Sequence, residues 1–432
     1  MQLKNRPNIS KALALASCSL LGNSVQAAAS EDKADDWKVD AAIMYYGEQE
    51  RVRAIEAIGN VQKAFGDESL LDVKLVVDSL TGASASGAVA QNEGQTFTRP
   101  SGDGEYQTPA GETPLDDTFH DTRAQISANW SEIHSPVLKT DLGLNLSKEF
   151  DYFSLGLNGG VERSFNKDNT TLALSGAYTL DNVDPVGGRP VGLSAMALRE
   201  DYDSEQEFRS AFERTRMAGT DEKQTLDLML SITQVLSRRW LLQANYGLSD
   251  VSGYMTDPYK LLSEVDNTGT TQRYLYEKRP DSRLKHSFYM MTKGALESGV
   301  VDFSYRYSTD DWDLNSHTLE THYRYYFGGR FYGQLHLRYY RQQAANFYRP
   351  FISVDEPVPD YASADYRIGE MTSYTLGLKL GQRLSDGHEL SYRLEYYQQN
   401  PENSGFELVG QLKEHELFPE VKAVIAQVSY SF

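Results

Sequence analysis

Thr318-Leu319-Glu320-Thr321-His322-Tyr323-Arg324-Tyr325-Tyr326-Phe327 sorts into two faces. Leu319, Thr321, Tyr323, Tyr325 and Phe327 fall on one side of an extended chain, and Thr318, Glu320, His322, Arg324 and Tyr326 fall on the other. A period of two is that of a β-strand, whose successive side chains point in opposite directions. After Gly328-Gly329 the pattern resumes, with Phe331, Gly333, Leu335, Leu337 and Tyr339 against Gln334, His336, Arg338 and Tyr340. Two such runs across a glycine turn predict a β-hairpin.

Working outward, the same alternation recurs. Tyr374, Leu376, Leu378 and Leu380 oppose Thr375, Lys379 and Arg383; beyond a turn at Ser385-Asp386-Gly387, Leu390, Tyr392, Leu394 and Tyr396 oppose Ser391, Arg393 and Glu395. Over the whole chain the pattern predicts strands at 37–47, 51–65, 70–80, 121–132, 138–148, 151–163, 169–180, 223–236, 239–250, 283–294, 299–309, 314–327, 330–342, 370–384, 388–399 and 420–432. The implied fold is all-β, an antiparallel transmembrane β-barrel of about 16 strands, with about 14 as the alternative. The connections support the larger number. All even-numbered ones are short, and the long ones, near 81–120, 181–222, 251–282, 343–369 and 400–419, are all odd-numbered. Short turns on one side and long loops on the other are what a bacterial barrel displays.

Composition agrees. The net charge of -19 and mean hydropathy of -0.53 look soluble, yet the chain carries 28 Tyr and 17 Phe. A barrel reconciles these facts, because lipid-facing residues alternate with polar lumen-facing ones and aromatic residues gather at both interfaces. The acidic balance argues against nucleic acid as a partner. No later stretch approaches the run of about 20 apolar residues that a transmembrane helix needs.

The N-terminus reads as a signal peptide over residues 1–27. Lys4, Arg6 and Lys11 form the basic region, Ala12 to Gly22 the apolar one, and Ser24-Val25-Gln26-Ala27 the cleavage site, leaving one barrel domain over 28–432. Leu15-Ala16-Ser17-Cys18 offers an alternative, lipoprotein processing at Cys18, the sole cysteine. Cleavage at Ala27 instead leaves a chain without thiol chemistry or disulfides.

The inward faces are expected to carry Asp302, Arg306, Glu320, Arg324, Arg338, Lys379, Arg383, Arg393 and Glu395. These permit either a ladder of cross-strand ion pairs bracing the wall or a basic constriction selecting anionic solutes, and the ladder is the more ordinary arrangement. Trp37, Trp130, Trp240 and Trp312 sit near strand ends, where anchoring at the membrane interface accounts for them. No spacing selects a metal site: His120 between Asp117 and Asp121 reads as a solvated cap before a strand. The acidic runs Glu200 to Glu205 and Asp310 to Asp313 either bridge to lipopolysaccharide through divalent cations or keep outer loops solvated. No nucleophile has a base at a telling distance in sequence, so an enzyme is the minority reading.

Two resemblances add to this. Val424, Ala426, Val428, Tyr430 and Phe432 share one face of the last strand. That strand resembles the C-terminal assembly signal of outer-membrane barrels, which implies a Gram-negative outer membrane, its lipid and lipopolysaccharide, and the barrel assembly machinery as partners. The Tyr45-Tyr46 strand end, Lys74-Leu75-Val76-Val77-Asp78 and the aperiodic passage from Thr81 to Asp121 resemble a bacterial family grouped as domain of unknown function 3570, over essentially the whole mature chain.

Within that passage Asp78-Ser79-Leu80-Thr81-Gly82-Ala83-Ser84 resembles the D-x-x-[ST]-G-A-[ST] sequence recognised by extracytoplasmic FMN transferases. The resemblance implies covalent FMN on Thr81, with Asp78, Gly82, Ala83 and Ser84 as the recognition context. An FMN transferase and periplasmic redox proteins would be the partners, and electron transfer the function. A straight strand through Thr81 would turn it toward lipid with Val73, Leu75 and Val77, so this reading expects the strand to break before it. Without flavin, Gly82 and its neighbours are a Gly/Ser-rich exit turn whose Asp78 bonds the local backbone. The alternative function is a porin-like channel for small solutes, with the loop 81–120 folded inward as a plug or constriction.

Overall fold

The computed structural model describes residues 37–49, 51–384 and 388–432. Residues 1–27, read above as a signal peptide, Cys18 among them, and residues 385–387, read as a turn, lie outside the described residues. Sixteen antiparallel strands close a barrel in sequence order: β1 (Trp37–Glu48), β2 (Arg53–Phe65), β3 (Ser69–Ala85), β4 (Leu115–Ser135), β5 (Leu138–Lys148), β6 (Tyr152–Phe165), β7 (Thr170–Val183), β8 (Asp221–Ser237), β9 (Trp240–Gly253), β10 (Ser282–Ala295), β11 (Gly299–Asp310), β12 (Ser316–Phe327), β13 (Phe331–Gln342), β14 (Met371–Arg383), β15 (Glu389–Pro401) and β16 (Val421–Ser431). Closure comes from β16 against β1, where Val39 and Phe432 exchange backbone hydrogen bonds of 2.7 and 2.9 Å. Every backbone polar group of a closed sheet finds a partner within it, which is why such a sheet can cross a bilayer.

The alternation read in the sequence is the alternation of the wall. Ile43, Leu142, Leu157, Leu376 and Leu394 stand exposed on the outer surface, and in a membrane protein that exposure is to lipid. Aromatic rings border this apolar belt. At the end where β1 begins and β16 finishes, Lys63 lies 4.6 Å above the Trp37 ring, and Phe65 packs 5.3 Å from Trp130. At the other end Tyr246 bonds His286 and Tyr305 bonds His317, each at 2.8 Å, with their rings on the outside. Trp37, Trp130 and Trp240 are exposed at the short-turn end, as expected. Trp312 is not an anchor: only 4% exposed, it packs edge-on against Phe347 inside the loop layer and lies 4.4 Å from the Arg283 guanidinium.

The largest departure from the sequence reading is at β3 and β4. Both outrun the expected ends, so the connection shrinks from 81–120 to 86–114. Strand β3 does not break before Thr81; it pairs through Thr81 with Arg53 and His120, and the register shift falls between Gly82 and Ser84. Two long strands support each other's backbone, and Gly82, at φ +122°, supplies the irregularity one step later than expected.

The long outer connections 86–114, 184–220, 254–281, 343–370 and 402–420 build a lid. A hairpin of Gln95–Thr98 and Glu105–Thr108 carries Phe97 into an aromatic core, 5.0 Å from Tyr106 and 4.6 Å from Tyr274. Leu261–Val265 and Thr271–Tyr276 form a second hairpin, extended by Ile352–Ser353 running parallel. The helix α1 (Glu205–Arg214) is capped by Ser204, whose hydroxyl accepts from the Glu207 N–H, and it buries Phe208, Ala211 and Phe212. These loops bond one another rather than only their own strands. Leu261 N–H donates to the Ser86 carbonyl at 2.8 Å, Lys278 and Ala362 exchange backbone bonds of 2.9 Å, and Gln411 N–H donates to the Thr268 carbonyl at 2.8 Å. Loops leaving β3, β9, β13 and β15 can meet only by crossing the mouth of the barrel, so the lid spans it.

Candidate functional site

On the lumen side below the lid, the inner faces of β12 to β16 line an open chamber of about 280 Å³. Its polar lining includes Glu320, His322, Gln334, His336, Lys379, Arg393, Glu395 and Gln427. The β12–β13 hairpin register makes His322 and His336 direct cross-strand partners. Partners in an antiparallel pair share a face. Their rings stack at 4.4 Å, tilted by 15°. His336 lies between two carboxylates, Nε2 at 2.9 Å from Glu320 and Nδ1 at 3.0 Å from Glu395. His322 Nδ1 is 2.9 Å from Asp302, and its Nε2 is 3.9 Å from the same Glu320 oxygen.

The predicted lumen charges all belong to inward-facing positions, and among the described residues no ion pair joins two of these nine across strands. Arg306 lies over Tyr289, Arg324 over Tyr332, Arg338 over Tyr340 and Arg383 over Tyr326, at 5.2, 4.6, 5.9 and 5.6 Å. Arg324 also donates to Gln334 at 2.9 Å, and Lys379 lies 6.0 Å from the Tyr332 ring. Arg393 donates to Gln427 and approaches Glu395 at 3.8 Å along its own strand. Planar guanidinium groups stack on aromatic faces, so tyrosines rather than carboxylates hold most of these arginines. The carboxylates turn instead to the histidines, which the sequence reading left without a role. A hairpin turn at 328–330 pairs Phe327 with Phe331, and five steps back and forward lead to His322 and His336.

The lid has a buried polar centre of its own. Arg279 meets Glu277 at 2.7 Å and Asp365 at 2.6 Å; Arg367 meets Asp257 at 2.6 Å and also holds Asp365. Ser363 donates to Glu277. These side chains come from loops 254–281 and 343–370, and Glu277 and Asp365 are sealed from solvent. Burial alone would raise the Asp365 carboxyl, but the charges of Arg367 and Arg279 outweigh it and hold the group far below the ordinary carboxylate range. Burial lowers the Lys260 ammonium, and nearby Arg367 lowers it further. Lys260 donates to Ser84, at 3.3 Å, and to the Ala85 carbonyl.

That contact fixes part of the Asp78 to Ser84 segment. Asp78 points inward and is buried, accepting from Arg123 Nε at 2.6 Å, with Glu56 3.5 Å from the same guanidinium. Thr81 is exposed on the opposite, outer face. Gly82 holds the irregular backbone, and a Cβ there would run into the Arg51 carbonyl. The segment is thus divided between a wall ion pair, the outer surface and the lid. Thr81 is nevertheless clear of the apolar belt. From Ser69 it is twelve residues along a tilted strand, about 30 Å in height, whereas the apolar band is about 25 Å tall. Its cross-strand neighbours Arg53 and His120 are both exposed. His120 and Asp121 go to opposite faces, and Asp121 lies near Glu149 and Asp151 instead. Asp310 is unavailable for bridging to lipopolysaccharide, since its side chain is buried against Arg283 and accepts from the Trp312 and Leu314 N–H groups at 3.0 Å.

Among solved structures the chain is similar to a bacterial polysaccharide outer membrane secretin, at 9% identity with a TM-score of 0.44, covering 93% of this chain and 100% of the other. It is also similar to the outer membrane protein OpdK from Pseudomonas aeruginosa, at 10% identity and a TM-score of 0.38, covering 92% and 99%. A third is the CymD monoaromatic hydrocarbon channel, at 10% identity and a TM-score of 0.37, covering 93% and 88%. No curated protein matches the chain. The sixteen-stranded closed barrel with its outward apolar belt is the outer-membrane β-barrel fold. With a family model matching residues 10–432, the chain belongs to the family described as Protein of unknown function (DUF3570).

Proposed function

We propose that this protein is an outer-membrane channel for small polar solutes, closed on its loop side by the lid and opened by separating loops 254–281 and 343–370. The observation that carries this reading is the polar chamber beneath a layer of loops that cross the mouth. A barrel of sixteen strands is wide enough for an aqueous path, and the loops over its mouth decide whether that path is continuous. Arg393, Lys379, Glu320 and Glu395 line the chamber together and offer contacts to both signs of charge. Swelling of proteoliposomes in an uncharged sugar tests it. Wild-type protein is expected to admit the sugar slowly, and Arg279→Ala/Arg367→Ala to admit it at least about tenfold faster. No swelling from a folded double variant contradicts the reading.

A second reading, FMN esterified to Thr81 for electron transfer, draws support from one observation: the hydroxyl is exposed beyond the apolar belt beside Arg53 and His120, two groups suited to a phosphate. Intact mass of the protein from its host membrane decides it. The addition of one FMN less water, abolished by Thr81→Ala, supports it; an unmodified mass removes it.

A further inference from the structure

We propose that Glu320, His322 and His336 form a site for a divalent transition-metal ion in the chamber wall. One ligand atom from each lies within 4.8 Å of the others. The orientation of the rings is the stronger argument. Each imidazole turns Nδ1 to its own carboxylate, His322 to Asp302 at 2.9 Å and His336 to Glu395 at 3.0 Å. That leaves both Nε2 atoms on the side of Glu320 Oε1, at 3.9 and 2.9 Å. Metal-binding histidines are held this way, since a carboxylate on the far nitrogen fixes the ring and raises the basicity of the near one.

Charge points the same way. Asp302, Glu320 and Glu395 stand around the two imidazoles; Arg393, 3.8 Å from Glu395, offsets one carboxylate, and a divalent ion among the three donors would offset the others. Because the rings stack within 15° of parallel, metal–nitrogen and metal–oxygen bonds near 2.1 Å to one ion require one imidazole to swing out of the stack by side-chain rotation. Two imidazoles and a carboxylate suit zinc, cobalt, nickel or ferrous ions, whereas calcium and magnesium prefer all-oxygen sets. The remaining coordination positions face the 280 Å³ chamber, which has room for water or an anionic solute, with Lys379 and Arg393 on the same lining. The site does not depend on whether the chamber conducts.

Tagless full-length barrel, folded in detergent and stripped with EDTA, should take up one equivalent of Co²⁺ and develop a visible ligand-field band. His336→Asn and Glu320→Gln should each weaken uptake at least about 100-fold, and Asp302→Asn, which removes only the support of His322, by about 10- to 100-fold. Heat-dependent gel mobility verifies that each variant is folded; if His336→Asn is not, His322→Asn replaces it. A wild-type protein that takes up no Co²⁺ overturns the proposal. So does uptake unchanged in every folded ligand variant.

Discussion

Asp78 and Thr81 stand three residues apart on one strand and meet opposite surroundings. Asp78 faces the interior, where the buried Arg123 holds it at 2.6 Å. Removing one member of a buried ion pair leaves the other charge unpaired, at a cost of about 3 to 5 kcal/mol. Asp78→Ala should therefore lower the urea midpoint clearly, with Glu56, 3.5 Å from Arg123, recovering part of the loss. Thr81→Ala touches only the outer surface and should shift stability by less than about 0.5 kcal/mol. Equal loss from both would mean that the alternation at the top of β3 is not as described. The continuation of β3 that turns Thr81 outward was not legible in the sequence, but the alternation that turns Asp78 inward was, because a period of two needs no partner strand. The contacts were less so. That arginines rest on Tyr289, Tyr326, Tyr332 and Tyr340, while carboxylates hold His322 and His336, depends on the register between strands. Counting from the Gly328-Gly329 turn would have recovered the histidine pair.

At the scale of elements, the barrel strands were legible nearly to their ends and the lid was not. A wall strand repeats its own signal, but Leu261–Val265 is buried along its whole length and depends on Thr271–Tyr276 and the distant Ile352–Ser353. Nothing local announces such a strand. Helix α1 had a usable signal, since Ser204 with Glu207 three residues later forms a capping box before Phe208, Ala211 and Phe212. It was hidden in a run read only as acidic. The end of β3 was misplaced because Gly82 marks a bulge rather than a stop. For the lid, acid should reveal the buried pairs. A carboxyl depressed in the folded state contributes stability above the ordinary carboxylate range and loses it as pH falls through the lower folded value. Because Asp365 is held far below that range, the lid should resist proteolysis in 254–281 and 343–370 at pH 7 and at about pH 4 alike, and yield only in stronger acid. Cleavage that sets in between pH 7 and 5 would contradict the part assigned to Asp365.

For the whole molecule, the arrangement follows from one parity. With sixteen strands, both ends of the barrel sequence fall on the side of the short turns, so Val39 can meet Phe432 and close the wall. The long connections then collect on the other side, near enough to bind one another. Closure and lid are consequences of the same strand count, and the count was readable because every even-numbered connection is short and every long one is odd-numbered. Function was less readable: a wall pattern defines a lumen, while the loops that cover it pair over distances no local pattern records. The most direct measurement is the single-channel conductance of the wild-type barrel and of Arg279→Ala/Arg367→Ala in planar bilayers. A closed lid over an aqueous chamber predicts a wild-type protein that is silent or opens briefly, and a double variant with a sustained open level. Equal, sustained conductance from both would show that the lid is no barrier, and silence from a folded double variant would show that the lumen is no path.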